Sequence, residues 1–329
     1  MAARLSPAAS ATAQRQAGGG GATGVTASTA RRRPPLTSAT RFGGYLYVGP
    51  AVVYLILLSI YPLLYTIELS TTDVRAGEQF FVGFAHYVAL TQDPWFWNSA
   101  KVDLIFSVGS TVLHLGLGFA FATLLNQAWP SLWLRNVFRG LLILPWVFST
   151  AAAGLMWTLL YHPFGILNYV WIAVLKQSDP LEFLAQPGMA LAALTIVNTW
   201  KAYPIYMIFI LGGLQAIPQS YFDAALVDGA GAWRRFWRVT LPLLRPVTWF
   251  VFLTGVIGAL QMFTLVFVLT EGGSFPLRST DVLVHRIYRT AFGPQALGMA
   301  SALALMLAAV LLVFRWPQLK LLRRQPRHA

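Results

Sequence analysis

Asn198, Lys201 and Tyr203 stand within one apolar stretch, Asn198-Thr199-Trp200-Lys201-Ala202-Tyr203-Pro204. At helical spacing Asn198, Lys201 and Ala202 fall near one face, and Tyr203 lies on the next turn from Thr199. An amide, an ammonium and the rings of Trp200 and Tyr203 suit a polyhydroxylated solute, through hydrogen bonds and ring stacking. Gln261 and Thr264, three residues apart, offer a further amide and hydroxyl. Polar side chains at membrane depth are a functional hypothesis by default. The same groups also serve as glue inside a helix bundle, satisfying the backbone freed by Pro204. His114 reads as a packed neutral histidine. No set of residues has metal-ligand or catalytic spacing, and no Gly-x-x-x-x-Gly-Lys-Ser/Thr phosphate loop is present, so the chain is read as non-catalytic.

A second constellation runs from Asp223-Ala224-Ala225-Leu226-Val227-Asp228-Gly229-Ala230 through Arg234-Arg235 to Leu241-Pro242. Pro218 ends the preceding apolar stretch, and Ser220 is the better N-cap for a new helix. Phe222, Ala225 and Leu226 then share one face. Gly229 and Gly231 supply backbone freedom for a sharp turn. A second short helix, Ala232 to Leu241, carries Trp233, Phe236 and Trp237 on one side and Arg234, Arg235 and Arg238 largely on the other, until Pro242 stops it. The small pair Ala224-Ala225 permits close approach of a partner's surface. Two readings stand side by side. The segment docks a cytoplasmic partner, or it lies under a bilayer with Arg on lipid phosphates and Trp among the headgroups.

The elements that position these residues are apolar spans. The chain is 57% hydrophobic and 11% charged, with a mean hydropathy of +0.60. Soluble domains carry roughly 25% charged residues, so bilayer is the natural solvent here. Cysteine is absent, which excludes disulfides and thiolate metal sites. Six apolar stretches, at approximately 45–68, 103–127, 138–161, 189–215, 246–270 and 296–316, are each near the length needed to cross hydrocarbon as a helix. Residues 1–40, rich in Ala, Gly, Ser and Thr, read as a disordered tail, 41–318 as the transmembrane domain with a 216–245 loop, and 319–329 as a basic tail. With the N-terminus inside, most of the 24 basic residues fall on the inner side, and of the 11 acidic residues only Asp223 and Asp228 do. That asymmetry places both termini and the 216–245 loop in the cytoplasm. It also accounts for the net charge of +13 without nucleic acid.

The string DAALVDGAGAWRRFWRVTLPLLRP resembles the Glu-Ala-Ala loop of the permease subunits of ABC importers. The match falls on Ala224, Ala225, Gly229, Leu241 and Pro242, with Asp223 for Glu and Val239 for Ile. GLQAIPQSYFDAALVDGA, YPLLYTIELS, RGLLILPWVFSTAAAGLMWTLLYHPFGILN and FTLVFVLTEGGS are similar to the branch that imports maltose, trehalose or glycerol 3-phosphate. The resemblance covers about residues 45–316. It implies an all-α type I importer permease of six transmembrane helices in a bacterial cell membrane. It implies a coupling helix around Asp223–Asp228, seated in a groove of a separate ABC ATPase dimer that binds ATP and Mg, with no cofactor in this chain. It further implies a second, homologous permease, an extracytoplasmic solute-binding protein, membrane lipid around the spans, and a sugar or related polyol as cargo. An ion-driven secondary transporter and a membrane scaffold that recruits a cytoplasmic partner are the alternatives. The paired intramembrane acids of the former are not evident, since the acids gather at span ends.

Overall fold

A computed structural model describes residues 38–75, 78–270 and 278–323. Residues 1–37 and 324–329, and with them most of the expected tails, lie outside the described residues, as does Glu271. The chain divides at Ile56 into two units. The first contains α1 (Ser38–Leu55), which carries Pro50. A π-turn over Ile56–Ile60 follows, then α2 (Tyr61–Ser70), a hairpin of β1 (Thr72–Arg75) and β2 (Glu78–Phe81), and α3 (Ala85–Gln92). The hairpin is antiparallel with Thr72 opposite Phe81. Next come α4 (Pro94–Leu125), α5 (Leu132–Val147), α6 (Thr150–Tyr161) and α7 (Ile166–Tyr169) with its π-turn to Val174. The remainder is α8 (Pro187–Gln215), α9 (Gln219–Val227), α10 (Ala232–Arg235), α11 (Leu241–Leu260), α12 (Thr264–Leu269), α13 (Leu283–Phe292) and α14 (Leu297–Arg323).

Among the described residues five segments are long and apolar enough to span a membrane: 46–70, 94–125, 187–215, 232–260 and 297–320. A sixth is the pair 132–147 and 150–174, bent by 95°. The fold class is as expected, and several boundaries differ for physical reasons. The second span starts at Pro94 because Asp93 caps it, its carboxylate accepting the Trp95 N–H at 2.8 Å ahead of a proline at the first helical position. The third span, expected as one helix, is broken at Phe148. Pro145 withholds an N–H, Phe148 is extended, and Ser149 caps α6 by accepting from Ala152 N at 3.1 Å. The sixth helix continues to Arg323, into the stretch expected as tail.

Prolines near helix starts are absorbed by widened turns. The π-turn Phe236–Thr240 joins α10 to α11, so Pro242 does not stop the loop's second helix. It sits in the first turn of α11, and the helical run continues from Ala232 to Leu260. A π-turn bonds five residues back instead of four, which relieves the clash of a proline ring with the preceding turn. The same arrangement, Ile56–Ile60, precedes Pro62.

Within the second unit α4 and α8 form the principal packing pair. Phe106, Leu194, Val197, Leu265 and Val266 make one buried cluster among α4, α8 and α12. Met207, Ile210, Leu244 and Val251 make a second among α4, α8 and α11. Leu90, Leu283, Leu303 and Leu307 make a third where α13 and α14 meet α3. Helix α13, not foreseen in the sequence, is tied to α4 by Asp103. This carboxylate is fully buried and its Oδ2 accepts the Leu283 N–H at 3.4 Å, an acid at a helix N-terminus. Asp103→Leu leaves that N–H unpaired, and we expect it to lower unfolding free energy by roughly 1–3 kcal/mol. Asp103→Asn keeps an acceptor and most of the stability. Thermal unfolding in detergent separates the two, and equal losses would remove the role given to the acceptor.

Candidate functional site

The loop between α8 and α11 is shaped by one glycine. Asp228 caps α9, Gly229 turns left-handed with φ 69°, and its N–H donates to Leu226 O at 3.0 Å. The Ala230 N–H reaches Ala225 O at 2.9 Å. These two bonds are the Schellman closure, which requires a left-handed residue following the cap. Gly231 has an ordinary φ of −64° and caps α10, so only the first of the two expected glycines is conformationally required. The helix begins at Gln219 behind Pro218 with no side-chain cap, so Ser220 does not act as N-cap. Asp223 Oδ1 accepts from Gln219 Nε2 at 3.3 Å.

The faces of this loop are sorted. Phe222 and Ala225 are half-buried, whereas Asp223, Ala224, Asp228 and Gly229 are exposed and Ala230 is half-buried. Val227, which the spacing did not single out, is 89% exposed. Phe222 turns inward to a cavity of about 340 Å³ shared with Thr123, Asn126 and Gln127 at the end of α4 and with Arg235 and Phe236. Phe236 also packs edge-on to Phe119 of α4, ring centres 6.1 Å apart. Arg234 is exposed and Arg235 half-buried, so the two basic neighbours serve different surfaces. Leu241 and Pro242 sit where the π-turn passes into α11. Phe222 of α9 and the end of α4 thus line one cavity, and the helical run that starts at Ala232 continues into α11.

The second candidate region is a cavity of about 220 Å³ among α4, α8 and α11. His114, Asn198, Ala202, Tyr206, Gly255 and Met262 are among its walls. His114 Nε2 lies 3.2 Å from Asn198 O, and because a carbonyl only accepts, Nε2 carries the hydrogen. The His114 ring also rests on Tyr206, centres 4.8 Å apart. His114 Nδ1 and Asn198 Nδ2 are buried without a hydrogen-bond partner among the described residues. With the hydroxyl-bearing Tyr206 and Thr254 they give a mostly apolar wall a few uncharged polar groups, and no nucleophile or acid–base pair accompanies them. A charge would be poorly compensated there.

The structure separates the polar residues expected to act together. Asn198 and Ala202 line the cavity, one turn apart on α8. Lys201, Trp200 and Tyr203 do not line it. Trp200 packs against Trp157 at 5.6 Å and Phe148 at 6.1 Å, and Tyr203 against Phe121 at 5.1 Å. Lys201 is half-buried. Gln261 and Thr264 do not share a helix face either. Helix α11 ends at Leu260, Gln261 is its cap, and α12 begins at Thr264, with both side chains exposed. Met262, between them, faces the cavity instead. His114, Tyr206 and Gly255 were not recognised from the sequence as cavity residues. Their signal was a small residue and two large polar rings at equal membrane depth in different spans, which only the tertiary packing aligns.

Comparison with known proteins follows this geometry. The family described as "Binding-protein-dependent transport system inner membrane component" matches residues 114–325, which include both candidate regions. The trehalose/maltose transport system permease protein MalF of Thermococcus litoralis is 36% identical over 233 residues, 70% of this chain and 77% of the relative. The lactose transport system permease protein LacF of Rhizobium radiobacter is 33% identical over 249 residues, 76% of this chain and 83% of the relative. A chain from the crystal structure of a bacterial ABC transporter involved in the import of the acidic polysaccharide alginate superposes with a TM-score of 0.75 at 23% identity, over 88% of this chain and 98% of that one, which shows the shared fold. A loop closed on Gly229 between two spans, a mostly apolar cavity within the bundle and these relatives agree: the chain belongs to the binding-protein-dependent transport system inner membrane components, within the sugar ABC importer permease subunits.

Proposed function

We propose that this permease moves a sugar or related polyol into the cytoplasm, driven by ATP hydrolysis on a separate ABC ATPase dimer that docks on the 219–242 loop. The observation that carries the reading is the sorted loop. Helix α9 turns Asp223, Ala224 and Val227 outward, where a partner can cover them, and turns Phe222 inward onto the end of α4. ATP and Mg reside on the ATPase, which this chain contacts through α9. ATP-driven closure of that dimer moves α9 and shifts the bundle between inward-open and outward-open states, each step drawing on differential affinity for the two. A second, homologous permease completes the bundle, membrane lipid surrounds the spans, and an extracytoplasmic binding protein delivers the solute. The basic inner segments favour cytoplasmic termini. Asn198 of the central cavity is the cargo contact this reading prefers. Lys201, Trp200, Tyr203, Gln261 and Thr264 belong to the surfaces around it and to the interface with the second permease.

The test is co-purification of the ATPase together with uptake of whichever sugar the cognate binding protein is first found to bind. At Gly229 a Cβ meets no atom within 4 Å, but its left-handed φ strains any L side chain by roughly 1–2 kcal/mol. Gly229→Val is expected to loosen α9, lose ATPase on washing and reduce uptake about tenfold or more. Asp223→Ala, which leaves the backbone unstrained, is expected to weaken ATPase retention more mildly. Undiminished retention and uptake in both variants would refute docking at this loop.

A further inference from the structure

A cavity of about 530 Å³ lies beside α13 and is lined by Arg278, Arg286 and Arg289, with Asp281, Tyr288 and Thr290 among the remaining walls. Three guanidinium groups in one concavity need compensation. The acids nearby supply part of it. Arg286 Nη2 pairs with Asp93 Oδ2, and Arg289 Nη1 lies 3.9 Å from Asp281 Oδ1, in ion-pair range but beyond a hydrogen bond. Asp281 is itself committed elsewhere, accepting from Ser99 Oγ at 3.2 Å and lying 3.2 Å from His285 Nδ1, with its side chain 2% exposed. The second nitrogen of Arg286 and the Nη1 of Arg289 are buried without any hydrogen-bond partner among the described residues. Arg278 is held in place separately. Its guanidinium rests 4.3 Å over the Trp95 ring, its carbonyl accepts from Asn98 Nδ2 at 3.2 Å, and its φ is 56°, uncommon for a residue with a side chain. The cavity wall is therefore net positive, with three arginines against the one carboxylate of Asp281.

We infer that this arginine-lined cavity binds the carboxylate or phosphate of a small solute entering the permease. The inference rests on the transport reading and deepens it by naming an anionic cargo class. A planar guanidinium presents paired N–H donors that match the two oxygens of a carboxylate or phosphate. The position favours cargo. Tyr288 of this cavity packs on Phe263 at 5.1 Å, and Met262, next in the chain, lines the central cavity of α4, α8 and α11. The Tyr288–Phe263 contact thus links the wall of the arginine cavity to the segment that lines the central one. The central cavity, whose polar residues are His114, Asn198, Tyr206 and Thr254, takes the hydroxylated part of such a solute, while the arginines hold its acidic group first.

The test uses the full chain assembled with its partner permease in nanodiscs of zwitterionic lipid, titrated with sodium glucuronate, inorganic phosphate and glucose. Calorimetry or the fluorescence of Trp95, read against Trp95→Phe, reports binding. Glucuronate and phosphate are expected to bind at least about tenfold more tightly than glucose, and Arg289→Gln, whose pairing is loose, to remove about tenfold of that affinity with the thermal midpoint retained. Arg286→Gln is expected to do the same where it folds. Glucuronate no tighter than glucose, or affinity unchanged in Arg289→Gln, overturns the inference. So does loss of binding when one third of the lipid is made anionic, which would identify the occupant as a headgroup. Loss of binding-protein docking in Arg289→Gln without any glucuronate affinity would assign the arginines to an acidic protein surface and overturn it as well. ATPase retention on the 219–242 loop is measured in parallel, so failure here leaves the transport reading standing.

Discussion

Gly255→Leu is expected to cut uptake to about a tenth or less while the permease remains folded enough to retain its ATPase. A Cβ at Gly255 overlaps the Tyr206 hydroxyl and comes within 2.9 Å of Thr111 Cγ2. The Tyr206 ring cannot retreat freely, because His114 packs against it and is itself tied to Asn198 O. A leucine therefore fills the central cavity and displaces the Tyr206–His114–Asn198 group together. Overpacking of this kind costs roughly 1–3 kcal/mol, which a bundle of this size survives. Under the transport reading proposed above the functional cost is larger, since an obstructed path would stop every turnover. Gly258→Ala is the control. It lines the same cavity, but its added carbon meets nothing within 4 Å, so uptake should change little. Near-normal uptake by Gly255→Leu, or equal loss in Gly258→Ala, would exclude the central cavity as the path.

Gly118→Leu acts on folding instead of transport. Here α4 touches the backbone of α8: an added Cβ lies 2.8 Å from Tyr206 Cβ and 3.1 Å from Met207 N. A side chain can rotate away from an intruder, but a peptide nitrogen inside a helix cannot. Small residues at such crossings let helices approach closely, which is a main source of association energy in lipid. Leucine must push the principal helix pair apart, with loss of contact at Met207 and Ile210. We expect destabilisation at or above about 3 kcal/mol, seen as loss of monodisperse protein in detergent and a collapsed thermal midpoint. Gly116, two residues earlier, has nothing within 4 Å, and Gly116→Ala should behave as the native chain. A monodisperse, thermally unchanged Gly118→Leu protein would contradict this packing.

The fold class, the number of apolar segments and the location of the polar loop were legible in the sequence. Each depends on local composition: about twenty apolar residues cross a bilayer in any context. The loop motif was legible for the same reason, since Gly229 satisfies a purely local demand for a left-handed residue, and the Leu241-Pro242 pair marks where a span resumes. Helix breaks were less visible. The third span is apolar on both sides of Phe148-Ser149-Thr150, so averaged hydropathy runs through a 95° bend, although Ser149 and Pro145 together carried a cap-and-proline signal. Pro242 misled in the opposite sense, because a π-turn absorbs a proline that an ideal α-helix would not.

The site was the least legible part. Asn198, Lys201 and Tyr203 share a short segment, yet at 100° per residue a helix sends them toward different neighbours. Only the tertiary structure decided that Asn198 faces a cavity, that Trp200 and Tyr203 join aromatic clusters, and that Gln261 and Thr264 straddle a helix break. It also brought together His114, Tyr206 and Gly255 from three spans, and set Arg278 beside Arg286 and Arg289 of α13. The sequence by itself determined a multi-span helical membrane protein with a polar, glycine-closed loop between two spans, because those properties follow from local polarity and backbone demands. Which polar groups converge depends on how helices rotate and approach, and that is settled by long-range contacts such as Gly118 against Tyr206–Met207.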